Sequence, residues 1–170
     1  TGGNLFVTSG SGTSKSSGAI TISTSNAGSN GVSGSLTFSS GTSSSGTTGS
    51  ISVSTGAAIN GKGGGIYLSV GSGNVGQGGA ISITAGKTTA SGADGGEVTI
   101  QGGQATNGVG GNVFVKGGTG TSNGGNIYIQ SGSGNTKGSI YFQDSSGTNR
   151  MVLSESSIMV HTGLTVSSTL

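Results

Sequence analysis

One imidazole, His161, and four carboxyls, Asp94, Glu97, Asp144 and Glu155, are all that this 170-residue chain offers to general acid–base or metal-ligand chemistry, since it has no cysteine. General acid–base catalysis needs two titratable groups held over one reacting bond. Asp94 and Glu97 share one Gly-rich turn and read as a solvated corner, and no other pair recurs at a useful spacing. Without cysteine there is neither a disulfide framework nor a thiolate metal site. A calcium-binding nonapeptide array needs Gly-Gly-x-Gly-x-Asp in unit after unit, and two aspartates cannot supply it. Gly86-Lys87-Thr88 matches the end of a phosphate-binding loop, but Ile81 stands where the first glycine of that loop belongs. Gly71-Ser72-Gly73-Asn74-Val75-Gly76 fits a dinucleotide fingerprint, yet a chain with 40 glycines matches it by chance. The expectation is therefore no enzyme, no cofactor and no metal.

Charge narrows the partners further. Lys15, Lys62, Lys87, Lys116, Lys137 and Arg150 are scattered singly and give a net charge of +2, whereas phosphate binding gathers several cations on one face. No nucleic-acid partner is expected. No apolar run approaches the length of a membrane span, so no span is expected either. The first residues lack the features of a signal peptide, and the apolar pattern is unfinished at Leu170, so the chain reads as a segment of a longer protein.

The informative residues are the aliphatic ones that a chemical inventory passes over. Ten apolar couplets recur: Leu5/Val7, Ile20/Ile22, Leu36/Phe38, Ile51/Val53, Ile66/Leu68, Ile81/Ile83, Val98/Ile100, Val113/Val115, Ile127/Ile129 and Ile140/Phe142. Their first members are 15, 16, 15, 15, 15, 17, 15, 14 and 13 residues apart. Alternation with period two means a strand, here about five residues long and β-branched at its inward positions, as strands prefer. A constant period of this size points to a repeat architecture. Glycine doublets such as Gly78-Gly79 precede the couplets and single glycines such as Gly86 follow them, as tight corners or close backbone approach require.

About ten residues separate successive couplets, too many for simple hairpins, and they carry no helical pattern. The spacing predicts an all-β fold over residues 1–143, a parallel β-solenoid (β-helix) of about ten 15-residue coils. A non-repeat segment follows over 144–170, with a turn at Asp144–Asn149 and apolar steps at Met151/Leu153, Ile158/Val160 and Leu164/Val166. These steps are too closely spaced to close a coil within one chain, so the segment is either a short-strand cap or an oligomeric stem.

Residues alternating with the couplets face the other way. Five of them are aromatic, Phe6, Tyr67, Phe114, Tyr128 and Tyr141, making their segments apolar on both faces. Such strands belong to sheets covered on both sides, and these residues are the candidate lateral packing or binding face. Elsewhere the same face carries hydroxyls, Thr21, Thr37, Ser52, Ser82, Thr84 and Thr99, which as a flat polar ladder would make an ice- or surface-binding face. A thin repeat with little apolar material and no disulfides needs self-association for stability.

Residues 1–143 resemble the Gly/Ser/Thr-rich repeat regions of secreted or surface fibrous and adhesive proteins, including those of diatoms and related algae. Gly163-Leu164-Thr165-Val166 and the residues after it resemble trimeric fibre stems. The resemblance implies a non-enzymatic structural or adhesive module of an extracellular or virion-surface fibre. Its partner would be itself, as a homo-oligomer, trimer or filament; ice, a solid surface or a polysaccharide is the alternative ligand.

Overall fold

The computed structural model describes residues 2–160. Among them the only sheet is a meander of three antiparallel strands, β1 (Ile140–Gln143), β2 (Asn149–Leu153) and β3 (Ile158–Val160), in the order β1-β2-β3, and there is no helix. The expected ten-coil parallel β-solenoid is not formed. The chain divides into two units, Thr1–Ile81 and Ser82–Leu170.

In the first unit, extended segments carrying the couplets alternate with loops whose two ends meet. The Oγ of Ser9 donates to the carbonyl of Gly18 at 2.8 Å, and the N–H of Gly18 donates to the carbonyl of Gly10 at 2.9 Å. Thr24 Oγ1 donates to the carbonyl of Gly34 at 3.0 Å, and Thr55 Oγ1 to that of Gly64 at 3.3 Å. At Gly79 an added Cβ would stand 2.7 Å from Val70 Cγ1, so the bases of that loop touch as well.

The second unit repeats the device with backbone bonds alone. The N–H groups of Gly96, Gly111, Gly125 and Gly138 donate to the carbonyls of Gly86, Gly103, Gly118 and Gly132 at 2.8–3.0 Å. Glycine is needed at these bases for close backbone approach, and the doublets do not adopt positive φ. Among the described residues that conformation is confined to Gly46, Gly76, Gly92, Gly147 and Asn60.

These closures are the physical reason the solenoid expectation fails. In a solenoid the inter-strand loop turns a corner and carries the next strand onto the last. Here seven of the nine loops hydrogen-bond to themselves at their bases, the bases of the other two come together at Ser40/Gly49 and Val70/Gly79, and among the described residues no backbone bond joins one couplet to another before β1. The alternation rule holds locally nonetheless. Asn126 Nδ2 donates to Tyr128 Oη, Thr99 Oγ1 donates to Glu97, and the Lys116 ammonium lies 5.7 Å from the centre of the Phe114 ring. Contacts at a spacing of two are those of extended backbone.

The meander takes up the change of sequence pattern after Phe142. Ile140 pairs with Leu153, Phe142 with Met151, and these with Ile158 and Val160, so three apolar couplets share one face. A bulge beside Gln143 and Asn149 leads into the turn. There Asp144 Oδ1 accepts from the N–H groups of Ser146 and Thr148, both at 3.0 Å, and from Ser146 Oγ at 2.7 Å. Asp144 Oδ2 accepts from Arg150 Nε at 2.8 Å and Nη2 at 2.6 Å. Gly147, at φ +80, supplies the left-handed position of the turn. The second turn closes with Ser154 N–H donating to the Ser157 carbonyl at 3.0 Å.

Candidate interaction surface

Aligning the loop closures reveals a stricter regularity than the couplet spacing. Residues 18–24, 34–40, 49–55, 64–70, 79–85, 96–102, 111–117 and 125–131 lie between successive closures, and every one of these segments is seven residues long. Each begins with glycine and carries its couplet at the third and fifth positions. Residues 3–9 and 138–144 follow the same pattern at the two ends of the array. All of the variation in couplet spacing therefore sits in the loops, which bulge from a closed base while the extended segments stay constant.

Those segments present their apolar side chains to solvent. Among the described residues none is buried. The first couplet members from Ile20 to Ile127 are each 48–58% exposed, a narrow range that marks a repeated environment. The aromatic residues expected to form a lateral face are more open still: Phe6, Tyr67, Phe114 and Tyr128 are 75–92% exposed, and Tyr141, whose segment is paired, is 57% exposed. Tyr67 folds back over its own chain, where a Cβ at Gly65 would stand 2.9 Å from the phenol oxygen.

Thr21, Thr37, Ser52, Ser82, Thr84 and Thr99 are likewise exposed. Each stands on an extended segment, and no backbone hydrogen bond aligns these segments into a ladder. The structure brings together neither the five aromatic residues nor the six hydroxyls within one chain. Val32, Ile59, Val75 and Val109 add further exposed apolar groups at the loop tips.

Among the described residues the titratable groups form no reacting constellation. Asp94 and Glu97 share no hydrogen bond, and the Glu97 carboxylate is taken by Thr99 at 2.9 Å. Glu155 pairs with Lys137 beside a cleft of about 360 Å³ floored by Ile140 and Leu153, so the two charges satisfy each other. Hydrogen bonds from Ser146, the Thr148 N–H and Arg150 hold the Asp144 carboxyl below its ordinary value, against a smaller opposing effect of its partial covering. Among the described residues no group of three His, Cys, Asp or Glu could hold a metal ion, and no helix is long and apolar enough to cross a membrane. His161 and the Gly163–Leu170 stretch lie outside the described residues.

No protein-family model, curated protein or solved structure matches this chain. Its reading rests on its own geometry. A glycine stands two residues ahead of the first member of the couplet, and four ahead of the second, in all ten units. Its meaning as a loop base depends on a closure between residues about ten apart, which periodicity alone does not reveal.

Proposed function

We propose that this chain is a non-enzymatic structural or adhesive module of an extracellular or virion-surface fibre, and that it works as a homo-oligomer. One observation carries the reading: the chain has no buried residue among those described. It exposes 16351 Å², where a folded monomer of its mass would expose about 7,400 Å². Exposed large apolar side chains in unit after unit, with none buried among the described residues, support a surface that another chain covers, and unpaired backbone edges are templates for such a chain. The near-uncharged Gly/Ser/Thr-rich composition supports a fibre component outside the cell.

Native mass in solution, measured by light scattering, tests this. The expected value is a multiple of the 15.9 kDa chain mass, in the form of a trimer, a larger closed assembly or a filament. A stable, folded species at the monomer mass would overturn the proposal.

A further inference from the structure

The last of the ten segments differs from the others in one respect, which is that it has a neighbour. Residues 138–144 have the same glycine start and the same couplet positions as the rest. Because β2 runs alongside, four of those residues become β1, with Ile140 opposite Leu153 and Phe142 opposite Met151. The repeat sequence is thus competent to form a strand wherever a partner edge is supplied. The other nine segments have no such edge among the described residues, and the chain holds no second series of couplets at matching spacing to provide it.

We propose that each segment's partner is the same segment of a second copy of this chain, running parallel and in register. The inference rests on the homo-oligomeric reading above and specifies its geometry. A second copy is the occupant that offers ten seven-residue segments interrupted by loops of the same lengths. The area available is ample: the chain exposes about 9,000 Å² more than a folded monomer of its mass would, against the roughly 800 Å² per partner of an ordinary stable interface.

Two features of the segments select the register. In-register parallel pairing places identical residues side by side, so it tolerates few charges. Of the charged residues, only Glu97, Lys116 and Asp144 stand within the segments, and Asp144 is already paired with Arg150. The remaining lysines up to Lys137, and Asp94, are all in loops. Asn and Gln do occur on the segments, and stacked amides favour this pairing.

Aromatic side chains make the second selection. At the fourth position, opposite the couplets, they stand on the first, fifth, eighth, ninth and tenth segments, while Phe38 and Phe142 are couplet members on the other face. Parallel pairing in register matches all five with their own kind, and such cross-strand aromatic pairs are favourable. Reversing one chain matches only the first and tenth, and a slip of one unit matches two. A slip also leaves a couplet uncovered at each end.

The native chain has no cysteine, so a single introduced thiol reports on one position. Val53→Cys and Val115→Cys each keep a small apolar group at the fifth position of a segment. Each variant, oxidised alone, is expected to form a disulfide with itself. A mixture of the two, one carrying a mass tag, is expected to give 53–53 and 115–115 species without 53–115. A 53–115 species, or no disulfide in a sample whose reduced form keeps the wild-type oligomeric mass, would overturn the register while leaving the homo-oligomeric reading intact. A monomeric wild-type chain would overturn both. Should the valine variants fail to assemble, nitroxides on Ser52→Cys and Ser82→Cys, off the couplet face, decide the same question. A short same-site distance in each variant supports the register, and a short 52–82 distance in the mixture refutes it.

Discussion

Gly117 lies with its Cα against the carbonyl oxygen of Gly125, leaving no room for a Cβ between them. That contact closes the base of one loop, and next to it the Gly125 N–H donates to the Gly118 carbonyl at 2.8 Å. Gly118 itself has open space where a Cβ would project. Gly117→Ala should therefore destabilise the assembled protein by more than about 1 kcal/mol, since the backbone must move. Gly118→Ala should be neutral or slightly stabilising, because it restricts the unfolded chain. Thermal melts of the two variants, followed by circular dichroism, check this; equal melting temperatures would show that the loop bases are not closed in this way.

The aromatic face is tested by replacing Tyr67, Phe114, Tyr128 and Tyr141 together with threonine. Each of these rings is more than half exposed in the single chain, so their loss removes little packing within it. If they pack between copies, the assembly should dissociate or lose much of its thermal stability, because buried aromatic residues dominate interface energetics. An unchanged native mass and melting temperature would show that they serve another role and would leave a flat hydroxyl-bearing face as the functional surface.

Acid should loosen the turn between β1 and β2. The hydrogen bonds from Ser146, Thr148 and Arg150 favour the ionised Asp144, so its folded value lies below the ordinary 3.8. A depressed carboxyl contributes stability that is fully present above the unfolded value near 3.9 and is lost as pH falls through the folded value. Amide chemical shifts of residues 144–150 should hold steady from neutral pH to about 5 and change below 4. Asp144→Asn should show weaker turn order at neutral pH and no such acid transition.

Lys137 and Glu155 offer a contrasting case. Both side chains are more than half exposed, and exposed ion pairs contribute about 0–1 kcal/mol. Lys137→Ala should shift the melting temperature by little, and raising the salt concentration should shift it by no more. A loss comparable to that expected for Gly117→Ala would mean that this pair is sequestered in the assembly.

Much of the local structure was legible in the residues. The couplets at spacing two were expected to be strands; among the described residues only Ile140/Phe142 of the ten stands on one, although contacts at a spacing of two, such as Asn126 with Tyr128, recur elsewhere. Asp144, Ser146 and Gly147 marked a turn, and a turn stands there. The glycines around each couplet signalled close backbone approach, which Gly102 and Gly117 show against the carbonyls of Gly111 and Gly125. The partner of each strand was not legible. A loop of eight or so residues ending in glycine can turn a corner onto the previous coil or close upon its own base, and both choices satisfy the same composition.

By itself, then, the sequence specified period-two apolar couplets set between glycines, the small polar stretches that separate them, and the apolar character of both faces at the aromatic positions. These follow from local sterics and side-chain chemistry, which act over a few residues. Only the tertiary structure decided that the loops close on themselves, that β1 pairs antiparallel with β2, and that the couplets stay uncovered within one chain. Hydrogen-bond partners distant in sequence are chosen by the competition among all available edges, and among the described residues only the last segment finds a strand partner.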